Sequence, residues 1–180
     1  MRAADYLTVW LGTPSKQYGN EFNPHWHGRM LERVKAQNST AAFYAYIIAM
    51  LARHTWGLKD CDVGRPSLCE QGAQFVRQNE PAILRLYEHY AREIAIHLGR
   101  ESESVWMIEP DWHQYSEKTQ HGGGLPQGYM VRLFSQMVER IKWHLPLARI
   151  SFDISPWVRL SQSGALHSTV LTCQSSPQLT

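Results

Sequence analysis

Asn79-Glu-Pro-Ala-Ile-Leu-Arg-Leu-Tyr-Glu-His-Tyr-Ala-Arg-Glu-Ile-Ala-Ile-His-Leu98, followed by Gly99 and then by Val105-Trp-Met-Ile-Glu-Pro110, decides the fold. Ile83, Leu84, Tyr87, Ala91, Ile94 and Leu98 recur at the spacing that puts apolar side chains on one side of a helix. Asn79 suits its first cap and Gly99 its stop. The apolar run that follows is short and bounded by Pro110, which predicts a strand over 105–110.

The same pairing repeats on both sides. Downstream, Gln127 to Leu145 reads as a helix with Met130, Leu133, Phe134, Met137, Val138 and Ile141 on one stripe, and Pro146 ends it. A strand over Arg149 to Trp157 follows. Upstream, Tyr6 to Leu11 reads as a strand and His25 to Lys35 as a helix. The unbroken run Ala42 to Met50 reads as a strand buried on both faces. Leu51 to Pro66 is loop-like, and Ser67 to Arg77 suits a short helix. Strands alternating with helices of this length imply parallel βαβ units. The expectation is an α/β fold, a partial (β/α) barrel of the TIM-like type, over residues 1–160. The chain has 180 residues, whereas a whole barrel of that type takes about 250. From Ser161 the sequence turns polar without period, so 161–180 is expected to be a poorly ordered tail.

Bulk properties narrow the function. Apolar residues make up 43% and charged residues 19%, which argues against disorder. A net charge of +2 with no Lys/Arg run gives no footprint for nucleic acid. No apolar stretch approaches the roughly 20 residues of a membrane span. The start, Met1-Arg-Ala-Ala-Asp-Tyr, lacks the apolar core of a signal peptide. Seven Trp and eight Tyr suit either core packing or rings that stack on sugars. Cys61 and Cys69 are eight apart, within reach of a local disulfide in an oxidising compartment, which leaves Cys173 over.

The candidate chemistry centres on Trp106-Met-Ile-Glu-Pro-Asp-Trp112. Side chains alternate along a strand, so Glu109 and Asp111 are expected to point the same way, with Cα atoms about 6–7 Å apart. Parallel α/β folds collect ligands at the carboxyl ends of strands. Two acids there, flanked by Trp112, His113 and Tyr115, suit protonation of a leaving group beside a stacked sugar; the plainer alternative is acids that cap the next helix or bind a loop Arg. Asp153, in Ile150-Ser-Phe-Asp-Ile-Ser-Pro-Trp157, reaches the same rim if its strand neighbours the first, with Trp157 as platform or packing. Asp60, in Lys59-Asp-Cys-Asp62, is positioned to hold another acid protonated by like-charge repulsion, or else is a solvated turn acid. His25-Trp26-His27 suits substrate contact or structure; a metal-dependent hydrolase using His25, His27 and Asp153 is a rival reading. No cofactor or metal is required for the carboxylate chemistry.

Ile108-Glu-Pro-Asp111 resembles the Ile/Val-Glu-Pro-Asp signature of glycoside hydrolase family 6, the cellobiohydrolases and endo-β-1,4-glucanases. Lys59-Asp-Cys61 resembles that family's Arg-Asp-Cys segment. Leu145-Pro-Leu-Ala-Arg-Ile-Ser-Phe-Asp153 resembles its helix exit followed by a strand with an Asp. The resemblance implies a secreted hydrolase of β-linked glucan. It implies Asp111 as general acid, Asp60 as the acid that tunes it and organises water, Glu109 as support, and Asp153 near the reacting sugar. Substrate contacts would fall to Trp112, Tyr115, Trp157, Trp26, His25 and His27. The family inverts the anomeric centre, which implies direct attack by water. The chain departs from the pattern after Asp111, where Trp112-His-Gln-Tyr115 stands for small apolar residues, and in lacking the family's later strands. A non-catalytic carbohydrate-binding fragment is therefore the other expectation.

Overall fold

The computed structural model describes residues 5–61, 63–116 and 123–152. Four strands, β1 (Tyr6–Leu11), β2 (Thr40–Ala45), β3 (Ser104–Ile108) and β4 (Ala148–Phe152), form one sheet in the order β1-β2-β3-β4. All three neighbouring pairs are parallel. Between them run α1 (Arg29–Ala36), entered through one wide π turn at Pro24–Gly28, α2 (Ile47–Trp56), α3 (Leu68–Leu98), α4 (Trp112–Ser116) and α5 (Gln127–His144). The α/β expectation therefore holds as a parallel sheet alternating with helices.

Period-two alternation gives the sheet two unlike faces. Val9 and Leu11 of β1, Phe43 and Ala45 of β2, Trp106 and Ile108 of β3, and Ala148 of β4 are buried in one core with the apolar sides of the helices. The opposite face carries Tyr6, Trp10, Tyr44, Val105 and Met107, and none of these belongs to that core. Tyr6 and Trp10 remain 56% and 43% exposed. Two ion pairs bind α3 to α5, Arg132 to Glu80 at 2.6 Å and Arg140 to Glu88 at 2.7 Å. Each step is eight residues in the same direction on both helices, so the helices run parallel, as successive βα units require.

Three elements differ from their sequence reading. The two helices expected over 67–77 and 79–98 are one helix of 31 residues. Asn79 caps nothing; it sits inside α3, with its Nδ2 donating to the Phe75 carbonyl at 2.9 Å. The helix starts instead at Ser67, whose N–H donates to Glu70 at 3.3 Å. Second, Ala42–Met50 is not a strand throughout. The strand stops at Ala45 and Ile47 opens α2, which also takes the first six residues of the expected loop. A short apolar run fits a buried strand and a buried helix equally, and only tertiary packing separates them. Third, the strand expected over 149–157 is β4, Ala148–Phe152; its remainder, with Asp153 and Trp157, and the tail 161–180 lie outside the described residues.

Candidate functional site

β3 ends one residue before its acids. Glu109 still donates its N–H to the Ala45 carbonyl at 2.9 Å, but its φ of 42° turns the chain into the left-handed region. A side chain other than glycine pays a steric penalty of roughly 1–3 kcal/mol there, so surrounding contacts must hold it. Trp112 N–H then closes the turn onto the Glu109 carbonyl at 2.9 Å.

That turn overturns the expected alternation. Glu109 and Asp111 do not share an open rim. Glu109 is fully buried. Its carboxylate accepts from the Tyr87 hydroxyl at 2.8 Å, from Ile48 N–H at 2.8 Å, and from the Tyr115 hydroxyl. Helix α2 has no side-chain cap of its own, and Glu109 supplies one from another strand. Burial pushes the Glu109 carboxyl up to about 7, against the lowering effect of these donors. The acid does bind the start of a helix, but that helix is α2, upstream of β3, and not the next one that the alternative reading expected.

Asp111 stays half-buried at the end of β3 and accepts from the Tyr46 hydroxyl. Tyr46 is the residue between β2 and α2, so the bond joins the carboxyl ends of neighbouring strands. Burial first, and then the bond to Asp111, holds the Tyr46 phenol far above its ordinary range. The Arg53 guanidinium lies 5.3 Å from the centre of the Tyr46 ring and pairs with Asp60. One buried tyrosine is thus bonded to one partly exposed carboxylate and linked through Arg53 to a second. Asp60 is held near Tyr46 by two ties. Arg53 grips its carboxylate, and the disulfide Cys61–Cys69 fastens the next residue to the first turn of α3, with Cα atoms 5.3 Å apart.

The other predicted residues divide. Trp112 is partly buried, with its ring edge-on to Tyr115 at 5.6 Å. Tyr115 is only 1% exposed and is spent on Glu109, so it offers no surface to a substrate. His27 is 1% exposed; its Nδ1 accepts from Asn23 N–H at 2.7 Å and its Nε2 donates to the Trp10 carbonyl at 3.1 Å. Burial pushes it down to about 4 and keeps it neutral. Both nitrogens are occupied by backbone, which corrects the expectation of substrate contact and removes His27 from any metal set. His25 is exposed and Trp26 is 42% exposed, both on the π turn after β1. Among the described residues no three His, Cys, Asp or Glu side chains converge as a metal site would need.

Sequence reasoning missed Tyr46 and Arg53. Both fell in segments read as strand and loop, and the only available signal was a tyrosine two residues after Tyr44, on the same pleat as the partners of the acid strand. A groove of about 550 Å³ lies on the other flank of α2, between Asn20, His54, Arg85 and His89; neither Asp111 nor Asp60 lines it. Comparison with protein-family models, with curated proteins and with solved structures finds no match.

Proposed function

We propose that this chain carries the acid-bearing half of a β/α-barrel glycoside hydrolase acting on β-linked glucan. The observation that carries the reading is the linkage of two carboxylates through Tyr46: its hydroxyl donates to Asp111 at the end of β3, and the Arg53 guanidinium that lies over its ring pairs with Asp60. Asp111 is the general acid that protonates the glycosidic oxygen, and the Tyr46 hydroxyl fixes the direction of its carboxyl. Asp60, oriented by Arg53, is the second carboxylate and acts on the attacking water. Glu109 is a positioning residue: it locks the start of α2 to the end of β3, and so sets Tyr46 against Asp111. Trp112 and Trp26 supply exposed ring area for sugar stacking. Asp153 and Trp157 keep their assignments from motif alone. The Cys61–Cys69 disulfide fits an oxidising, extracellular setting.

The test is reducing-sugar release from soluble β-1,4-glucan by the purified chain, with Asp111→Asn beside it. Release that vanishes in the variant supports the assignment; equal release from both removes it. A second reading is a carbohydrate-binding protein without hydrolysis, favoured by the exposed rings of Trp10, within β1, and Trp26, after it. Calorimetric binding of cello-oligosaccharide that is lost in Trp112→Ala, with no release by the parent, identifies that case.

A further inference from the structure

We propose that Asn38 is a modification site, the acceptor of an N-linked oligosaccharide. It opens Asn38-Ser39-Thr40, an asparagine followed two residues later by a hydroxyl residue, with no proline between. The chain has four asparagines, and the other three lack that hydroxyl: Asn20-Glu-Phe22, Asn23-Pro-His25 and Asn79-Glu-Pro81.

The fold makes the same selection on independent grounds. The Asn20 Nδ2 donates to the Gly12 carbonyl at 2.6 Å, and its Oδ1 accepts from the His54 ring at 2.6 Å. The Asn23 Oδ1 accepts from the N–H groups of His25 and Trp26 at the start of the π turn. The Asn79 Nδ2 donates to Phe75 inside α3. These three side chains hold the structure together. Asn38 is exposed, and among the described residues its amide is tied to no neighbour.

Its backbone explains why the side chain stands free. α1 ends in two bonds of the reversing turn that stops a helix: Asn38 N–H donates to the Lys35 carbonyl at 3.1 Å, and Ser39 N–H to the Val34 carbonyl at 3.1 Å. That turn needs one residue in the left-handed region, and Asn38 supplies it with φ of 51°. Glycine is usual there, and asparagine is the side chain that tolerates the position best. Lys35, Ala36 and Gln37 are exposed beside it, so a bulky substituent has room. Thr40 then enters β2, with its N–H on the Asp5 carbonyl at 2.9 Å.

The donor is an oligosaccharide carried on a polyprenyl diphosphate, supplied with its transferase by an export compartment. The Asn38 Nδ2 forms a bond to the anomeric carbon and gives up one proton. The bond from that carbon to the diphosphate oxygen breaks, and the polyprenyl diphosphate leaves. The Cys61–Cys69 disulfide belongs to the same kind of compartment. Asn38 precedes the amino end of β2, whereas Tyr46 follows its carboxyl end, and the six residues between span about 20 Å. The sugar therefore sits at the end of the sheet opposite Asp111, and the proposal is independent of what that rim does.

The experiment is secretion of the full 180-residue chain behind a cleavable leader from a eukaryotic host, with intact mass measured before and after digestion by peptide N-glycosidase. The expected parent is heavier than 20.8 kDa and falls to the mass of the bare chain on digestion. The shift is expected to vanish in Asn38→Gly, which suits the left-handed turn, and in Thr40→Val, which keeps the branched shape in β2. Thr40→Ser is expected to keep it. A secreted parent of 20.8 kDa overturns the proposal. So does a digestible shift that persists in Asn38→Gly or in Thr40→Val.

Discussion

The Tyr46 hydroxyl donates to Asp111, a residue 65 positions further along the chain. The bond joins the ends of two adjacent parallel strands, and it makes the position of the acid depend on the start of α2. In the proposed function, an acid held this way has few rotamers to lose on binding substrate, and the effects expected of Asp111→Asn and Tyr46→Phe rest on that role.

Removing the acid and removing its holder therefore have different costs. Asp111→Asn is expected to lower kcat on soluble β-1,4-glucan by about 100- to 10,000-fold, the usual worth of a general acid. Tyr46→Phe deletes one hydrogen bond to a charged group, worth about 1.5–3 kcal/mol, and is expected to cost roughly 10- to 100-fold in kcat with KM little changed. Steady-state kinetics on both variants checks the pair. A Tyr46→Phe enzyme with parental kcat sinks the positioning role.

The stability of the fold against pH should show two opposed titrations. His27 is depressed to about 4 from 6.5, so its contribution is complete above pH 6.5 and is lost as pH falls toward 4. Glu109 is raised to about 7 from 4.5, so its contribution is complete below pH 4.5 and is lost as pH rises toward 7. Between pH 4.5 and 6.5 the two offset each other. Relative to the parent, His27→Gln is expected to gain stability on acidification across this window and Glu109→Gln to lose it, each by on the order of 2–3 kcal/mol. Urea denaturation at several pH values measures both slopes. Slopes equal to the parent's in both variants show that neither group titrates as stated.

Cys61 and Cys69 close a short loop that holds Asp60. Cys61→Ser is expected to cost about 2–3 kcal/mol of stability from loop entropy. Activity should fall further than that of a stability-matched control, because Asp60 loses one of its two ties. If melting temperature drops while kcat stays constant, Arg53 alone suffices to place Asp60.

Gly72 lies where α3 crosses α4. A Cβ there would come within 2.8 Å of the Tyr115 Cα, with no flexible side chain to give way. Gly72→Ala is expected to destabilise by about 1–3 kcal/mol and to loosen the Tyr115 bond to Glu109. Near-ultraviolet circular dichroism of Tyr115 and Trp112, read with thermal melting, tests this; an unchanged spectrum and melting point would place the two helices further apart than described.

Gly12 shows the same kind of constraint just after the carboxyl end of β1. Its φ is 93°, and a Cβ would meet the Ile47 Cα at 2.8 Å. The turn after β1 therefore presses directly on the start of α2. Tyr90 fastens it there, its hydroxyl accepting from Gly12 N–H at 3.0 Å.

Much of the fold was legible from side-chain period. Tyr6–Leu11 and the helices ending at Leu98 and His144 carry periods or stop signals strong enough to read without partners. The errors fell where local signals compete. Asn79 is a good cap residue, yet the side of α3 formed by Phe75, Val76, Ile83, Leu86 and Tyr87 is buried continuously, and packing carries the helix through Asn79 and Pro81.

By itself the sequence determined an α/β chain with alternating elements, a pair of acids at the end of β3, and a local cysteine pair. Each follows from contacts between residues near in sequence or from composition. Only the tertiary structure decided which acid faces solvent. The choice turns on φ of one residue, Glu109, and on four groups from three other segments, Tyr46, Ile48, Tyr87 and Tyr115, that bury one carboxylate and expose the other. No periodicity records a contact 65 residues away, so the separation of a structural acid from a candidate catalytic one appears only when the strands are side by side.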